Sequence, residues 1–189
     1  MKRRWALVVM GAWVMGSICM SIVATQNFYT VDRLLAGRSS AAFTGMVQKL
    51  GQPSARELLR YLSSELNRLY FQMWNLAQVV LAVGALWLVA TSEGQDPAGR
   101  RSAGPFGTAA AKGILAMLAI VALMLVYLTP AIVSLGRELD FVPREPAPPG
   151  MSRFWVLHAA YTSLEMLKLA LGLLVAGLIA RTVASAPAA

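Results

Sequence analysis

The sequence predicts an all-α integral membrane protein, built as a bundle of four transmembrane helices. Only 14% of its residues are charged, against roughly 25% in a typical soluble domain, while 57% are hydrophobic. Long apolar runs account for this deficit, at positions 5–24, 71–90, 113–135 and 154–180. A hydrocarbon core about 30 Å thick requires about 20 helical residues to cross it, and each run reaches that length.

The domain organisation follows from the length of the chain, 189 residues. Four crossings leave little chain for a soluble domain, so we expect one membrane domain over 1–182 and a disordered tail over 183–189. The first run could instead be a signal peptide, because it has a basic start and small residues near Ala24. Its apolar stretch is longer than the about 7–15 residues of a signal sequence, which favours an uncleaved first span. Cleavage would leave three spans.

The connection between the first two spans is expected to be helical and amphipathic. The first helix can continue to Gly37, a residue that often ends helices. A short helix should follow, with Ser39 or Ser40 as its cap and with Gly51 and Pro53 ending it. Such a helix is typical of a segment that lies at the membrane interface.

Two further signals concern the second and third spans. Ser54 and Glu57 have the spacing of a capping box, which predicts that a long helix starts there and meets no breaker before Gly94. Its first turns are amphipathic and the rest is apolar. In the third span, Pro130 should kink the helix or interrupt its regular hydrogen bonding.

The last span carries a polar face rather than scattered polar residues. At 100° per residue, His158, Tyr161, Glu165, Lys168 and Gly172 fall within about 80° of one another. The rest of the helix surface is aliphatic. Glu165 and Lys168 are three positions apart, so we expect them to form an ion pair.

The other spans carry their polar residues in the corresponding halves. These residues are Ser17, Ser21, Thr25 and Asp32 in or after the first span, Asn67, Asn75 and Gln78 before or in the second, and Tyr127, Thr129 and Ser134 late in the third. Consecutive spans run antiparallel, so all of these half-spans should share one leaflet. An ionised residue at the centre of a span costs about 2.5–3.5 kcal/mol, which predicts one half-bundle with a hydrogen-bonded polar interior.

This polar interior has three interpretations. It can fix how the helices pack without any ligand. It can form a cavity, open to one side, that binds a small polar solute, an ion or a lipid headgroup. It can also be catalytic, but no nucleophile–base pattern supports that, and we expect no enzyme activity. The candidate ligand-binding residues are His158, Tyr161, Glu165, Lys168, Asn75, Gln78, Asn67 and Ser21.

The composition predicts no metal or cofactor. Cys19 and His158 are the single cysteine and the single histidine, so a His/Cys metal site within one chain is not expected. Haem would need a second axial ligand, and methionines at these spacings are more typical of packing.

The expected partners are the lipid bilayer and, in an alternative function, other subunits of a larger membrane complex. The net charge of +8 does not predict nucleic-acid binding, because the basic residues are spread over every hydrophilic segment. They are better explained as cationic flanks that meet anionic headgroups. The Arg- and Ala-rich composition indicates a bacterial protein and therefore the inner membrane.

The orientation is predicted with both termini cytoplasmic. The side with the N-terminus then holds seven basic residues and the opposite side nine, which by count disfavours this orientation. However, the positive-inside rule is strongest for short segments next to a span, and Lys2, Arg3 and Arg4 directly precede the first span.

The stretches "YLTPAIVSL" and "FWVLHAAYTSLEMLKLALGLLVAG" give the chain a family resemblance. With four spans and a long first connection, it resembles the bacterial branch of the transmembrane protein 205-like families, which are domains of unknown function. Phe154, His158 and Tyr161 carry most of the likeness. The resemblance implies an asparagine-like residue where this chain has Glu165, which is a departure. It implies no activity and no functional residues.

Overall fold

The computed structural model of the protein describes residues 1–37, 39–92 and 108–184. All regular structure in these ranges is helical. The helices are α1 (Lys2–Leu35), α2 (Ala41–Leu50), α3 (Gln52–Ala90), α4 (Ala109–Leu123), α5 (Thr129–Glu138) and α6 (Met151–Ala184). Four continuous helical stretches are long and apolar enough to cross a membrane: α1, α3, the α4–α5 stretch and α6. The predicted fold class is therefore confirmed.

The two ends of α2 are determined locally and agree with the sequence. Ser40 caps its N-terminus, where the side-chain oxygen accepts a hydrogen bond from the backbone N–H of Phe43 at 3.3 Å. Gly51, at φ 80°, ends the helix, and Gly37, at φ 82°, lies directly after α1. Both glycines adopt the left-handed conformation that a Cβ would disfavour. No residue of α2 is buried, as expected of an amphipathic helix outside the bundle.

The predicted capping box at the start of α3 is wrong. The helix begins at Gln52, two residues before Ser54, and no side chain caps it. Gly51 turns the chain directly from α2 into α3, so Ser54 already lies in the first helical turn. Pro53 occupies that turn as well, where its missing N–H costs no hydrogen bond. The helix ends at Ala90.

Some predicted boundaries lie outside the described residues. Gly94, the breaker expected after α3, is one of them, and so are positions 185–189 of the predicted tail. The helix α6 continues through Ala184, which is two residues into the segment predicted to be disordered.

A π-helical segment, Met124–Leu128, joins α4 to α5 directly before Pro130. Proline has no N–H and its ring clashes with the carbonyl four residues earlier, which here belongs to Val126. The wider π turn accommodates both effects without breaking the helix. The predicted interruption at Pro130 is therefore confirmed.

Among the membrane-crossing helices, α1 packs against α3 and α6, and α4 packs against the same two helices. One end of the bundle has an apolar core, made by residues such as Met10, Ile114, Met117, Val121 and Val175. Its helices approach closely at glycines. A side chain at Gly16 would overlap the indole of Trp74, and one at Gly172 would crowd Val14 and Met117. Buried polar residues lie towards the other end.

Candidate functional site

A hydrogen-bonded network joins all four crossings at the start of the polar half. Trp13 Nε1 of α1 donates to Gln78 Oε1 of α3 at 2.9 Å, and Gln78 Nε2 donates to Asn75 Oδ1 at 3.3 Å. Asn75 Nδ2 donates to Thr129 Oγ1 at 3.0 Å, and the hydroxyl of Tyr161 in α6 donates to Asn75 Oδ1 at 3.5 Å. Asn75 and Gln78 have no exposed surface. Because their polar groups bond to one another, the network fixes the relative positions of the four helices.

The predicted ion pair lies next to this network on the buried face of α6. Lys168 Nζ is 2.7 Å from Glu165 Oε1. Lys168 is 1% exposed and Glu165 is 8% exposed, so both charges are largely removed from the surface. The lysine also lies 3.9 Å from the sulfur of Met124, in the π segment. The predicted polar stripe of α6 is therefore buried from Tyr161 to Gly172, and the pair that it contains is confirmed.

A second set of hydrogen bonds ties α1 to α3 nearer the end of the bundle. Asn27 Nδ2 donates to Asn67 Oδ1 at 2.6 Å, and Asn67 Nδ2 donates to the carbonyl of Ala24 at 3.1 Å. The hydroxyl of Ser63 donates to the carbonyl of Asn27 at 3.3 Å. These bonds hold Asn67 at the wall of a cavity.

The cavity has a volume of about 720 Å³ and lies at the polar end of the bundle. Residues within 24–32 of α1, 57–71 of α3, 140–144 after α5 and 154–158 of α6 line it, and we refer to it as the vestibule. Aromatic rings dominate its wall: Phe28, Tyr29, Tyr61, Phe71, Phe141, Phe154 and Trp155.

An adjoining cavity of about 160 Å³ extends the vestibule inwards. The two share Asn67 and His158, and the smaller one reaches Tyr161 and Thr129, which belong to the buried network. The vestibule is therefore continuous with the surface of the network, while Glu165 and Lys168 line neither cavity.

His158 is a titratable group of the vestibule wall that also lines the adjoining cavity. Its ring centroid lies 4.5 Å from that of Phe154 and 6.1 Å from that of Trp155. Its Nδ1 is buried and faces the backbone of Phe154 one turn earlier, without forming a hydrogen bond of ordinary geometry. Packing against two rings holds the imidazole at the wall.

Ion pairs surround the mouth of the vestibule. Asp32 lies 2.7 Å from Arg56, Asp140 lies 2.9 Å from Arg68, and Glu57 lies 3.7 Å from Arg60. Arg68 also pairs with Glu65. Each carboxylate of the vestibule wall therefore has an arginine partner.

Arg144 differs from these residues. It lines the vestibule, is exposed, and has no ion-pair partner among the residues that the structure describes. Glu145, which follows it, is also exposed but does not line the vestibule. Arg144 is therefore the charged residue of the vestibule wall that is free to pair with a ligand.

The predicted site residues separate into three groups. Asn67 and His158 line the vestibule, and Tyr161 lines the adjoining cavity. Asn75, Gln78, Glu165 and Lys168 are buried beneath these cavities, bonded to other side chains.

The expectation that Ser21 faces the polar interior is wrong, because Ser21 is exposed and lines neither cavity. Its hydroxyl donates to the carbonyl of Ser17 in the same helix at 3.0 Å. Tyr127 and Ser134 also lie outside the interior. A serine can satisfy its hydroxyl within its own helix, so its presence in a span does not indicate which face is buried.

The sequence alone missed Trp13, Arg144 and the aromatic wall. Trp13 is typical of a packing or interface residue, and nothing in the sequence indicates its bond to Gln78. Tyr61 and Phe141 are 80 positions apart, yet their ring centroids lie 5.1 Å apart. The proximity of such residues is a result of helix packing.

The described residues contain no group of three or more metal-binding side chains. Comparisons of the chain with protein-family models, curated proteins and solved structures found no match. The resemblance to the transmembrane protein 205-like families therefore stays a prediction, and function has to be argued from the geometry.

Proposed function

We propose that this is a non-enzymatic membrane protein that binds a small ligand with a polar group in its vestibule. The observation that carries the proposal is a cavity of about 720 Å³ with Asn67 and His158 in an aromatic wall. Small-molecule sites have volumes of about 300–1,000 Å³, mostly apolar walls and a few polar groups that fix orientation. The vestibule has all three properties.

The rest of the bundle favours binding over transport. Beneath the vestibule, polar groups of the network bond to one another. Beyond them lies an apolar core in which Met10, Ile114 and Val121 have no exposed surface. A polar solute has no hydrogen-bonding path through this core in the described arrangement, so it would enter and leave on the same side.

A cavity-filling variant tests the proposal. Ser64 lines both cavities, so Ser64→Trp should place an indole where they meet and abolish binding. Native mass spectrometry of the full chain, extracted in mild detergent, should show a bound small molecule that is lost in this variant. Ser163 is exposed and lines neither cavity, so Ser163→Trp is the matched control and should keep the adduct. An adduct in all three proteins, or in none, would contradict the proposal.

We further propose that the protein lies in a bacterial inner membrane with both termini cytoplasmic. At the apolar end of the bundle the charged residues that the structure describes are all basic: Lys2, Arg3, Arg4, Lys112 and Arg181. The acidic surface residues within the described ranges lie at the vestibule end, where arginines pair with several of them. Basic residues next to spans are typical of the cytoplasmic side, so the vestibule would open on the other side.

Cysteine labelling checks this orientation. In a Cys19→Ser background, we expect Arg144→Cys to react with a membrane-impermeant maleimide in intact spheroplasts. Lys112→Cys should react only after the membrane is permeabilised, because it lies at the opposite end of the bundle. The reverse pattern would show that the vestibule faces the cytoplasm.

A second candidate function is that of a subunit in a larger membrane complex. It is supported by Gln72 on the outside of a crossing helix, because lipid does not hydrogen-bond an exposed amide. The same mass spectra distinguish the two functions, because a subunit would carry a co-purified protein rather than a small molecule.

A further inference from the structure

We infer that the ligand of the vestibule is an anionic phospholipid, which inserts one acyl chain sideways between α1 and α6 and places its headgroup at Arg144. This inference rests on the proposed binding function and specifies its ligand class. Three observations carry it: the side on which the vestibule opens, the chemistry of its wall, and the charge at its mouth.

The vestibule opens towards the side of the bundle between α1 and α6. Val14 and Gly172 bring these helices together near the middle of the bundle. Towards the polar end, Thr25 and Tyr29 of α1 and Trp155 of α6 line the vestibule instead. Tyr29 is 61% exposed and Trp155 is 58% exposed, which is more than an enclosed cavity would leave. A ligand can therefore enter from the surrounding leaflet.

The wall suits an acyl chain better than a solute that comes from water. Phe28, Phe71 and Phe154 offer apolar ring surface, and Asn67 and His158 lie in the same wall. Asn67 already uses its amide in bonds to α1. Tyrosine and tryptophan at the opening are typical of the headgroup level of a bilayer. Since a phospholipid is larger than the drug-sized molecules that such volumes hold, one chain enters and the other stays in the bilayer.

The charge at the mouth selects an anionic headgroup. The carboxylates of the vestibule wall are paired with arginines, as described above, and Arg144 is left without a counter-ion among the described residues. It lies in the connection between α5 and α6, at the vestibule end of the bundle. A guanidinium binds a phosphate through two parallel hydrogen bonds. A zwitterionic lipid also has a phosphate, but it carries no net negative charge to balance the arginine.

Fluorescence quenching tests the inference directly. The full chain is reconstituted in phosphatidylcholine that contains a small fraction of acyl-brominated phosphatidylglycerol or, separately, acyl-brominated phosphatidylcholine. Bromine quenches tryptophan on contact, so Trp5 and Trp87, the other two strongly exposed tryptophans, are replaced by phenylalanine in every protein compared. Trp155 then reports the contact, and we expect the anionic lipid to quench it at a lower mole fraction. Arg144→Gln should reduce this preference about fivefold, the effect of one basic residue near a membrane surface.

The matched control is Arg153→Gln. Arg153 is exposed and lies two residues from Trp155, but it does not line the vestibule. It should keep the preference, and an equal loss in both variants would show general surface electrostatics and overturn the inference. Ser64→Trp would add a tryptophan that brominated lipid can itself quench, so Ser64→Phe is used in this measurement. It should also remove the preference.

The outcomes separate this inference from the proposed function. If the wild-type protein shows no preference for the anionic lipid but carries a different small molecule that Ser64→Trp expels, the inference fails and the binding function stands. If neither an adduct nor a preference is found, both fail. A preference that persists in Arg144→Gln and Ser64→Phe would place the lipid outside the vestibule and overturn the inference alone.

Discussion

Replacing Lys168 with methionine is expected to destabilise the folded bundle by about 3–5 kcal/mol, the usual cost of removing one partner of a buried ion pair. In this variant Glu165 would have to carry an unpaired charge or take up a proton, in a position where it is 8% exposed. Glu165→Gln would instead leave Lys168 as the unpaired charge, in an even less exposed position. Its cost should therefore be of the same order. Changing both residues removes both charges, so Glu165→Gln/Lys168→Met should be much closer to the wild type.

The free energy of unfolding in mixed detergent micelles, followed by helical circular dichroism, measures this cycle. The exposed pair of Glu57 and Arg60, 3.7 Å apart, provides the control. Glu57→Gln should change stability by less than about 1 kcal/mol, as for most surface pairs. A double variant whose loss of stability equals the sum of the two single losses would show that the charges are not coupled. Since neither residue of the buried pair lines a cavity, the double variant should also keep its bound ligand.

Replacing Trp13 with alanine is expected to have an effect of the same size, about 3–5 kcal/mol. Its side chain is 1% exposed and belongs to the apolar core, so truncation leaves a large space among packed helices. It also removes the 2.9 Å hydrogen bond to Gln78, whose oxygen would be left buried without its donor. Helices in a membrane associate through such packing contacts and hydrogen bonds, so both losses act on the bundle itself.

Two variants separate these contributions in the same unfolding measurement. Trp13→Phe keeps a large ring but removes the donor, and should cost about 1–3 kcal/mol for the unsatisfied oxygen. Trp87, which is 61% exposed, provides a matched tryptophan on the outside of the bundle. If Trp87→Ala were as destabilising as Trp13→Ala, the effect would reflect loss of lipid anchoring rather than loss of core packing.

Much of the candidate site could be predicted because a helix has a fixed period. His158, Tyr161, Glu165 and Lys168 had to share one face, and the cost of charge in lipid required that face to point inwards. The same argument failed for Ser21, because a hydroxyl can be satisfied by a backbone carbonyl of its own helix. It succeeded for Asn75 and Gln78, whose amides need more partners than their own helix offers.

The division of these residues between cavity and core could not be predicted. In the sequence, Asn67 and Gln78 are equivalent polar residues on one helix. In the structure, Asn67 lines the vestibule, whereas Gln78 is closed off by Trp13. The difference lies in the residue of α1 that helix packing brings against each amide, Trp13 for Gln78 and Asn27 for Asn67.

The sequence by itself determined that the chain is helical, that four segments can cross a membrane, and that the polar residues gather in one half of the bundle. These properties follow from hydropathy and helical period, which act within each segment. Only the tertiary structure decided which polar groups bond to one another, where a cavity is left, and that Arg144 lies at its mouth. Those properties depend on distances between helices, and side-chain packing at positions such as Gly16 and Trp74 sets these distances.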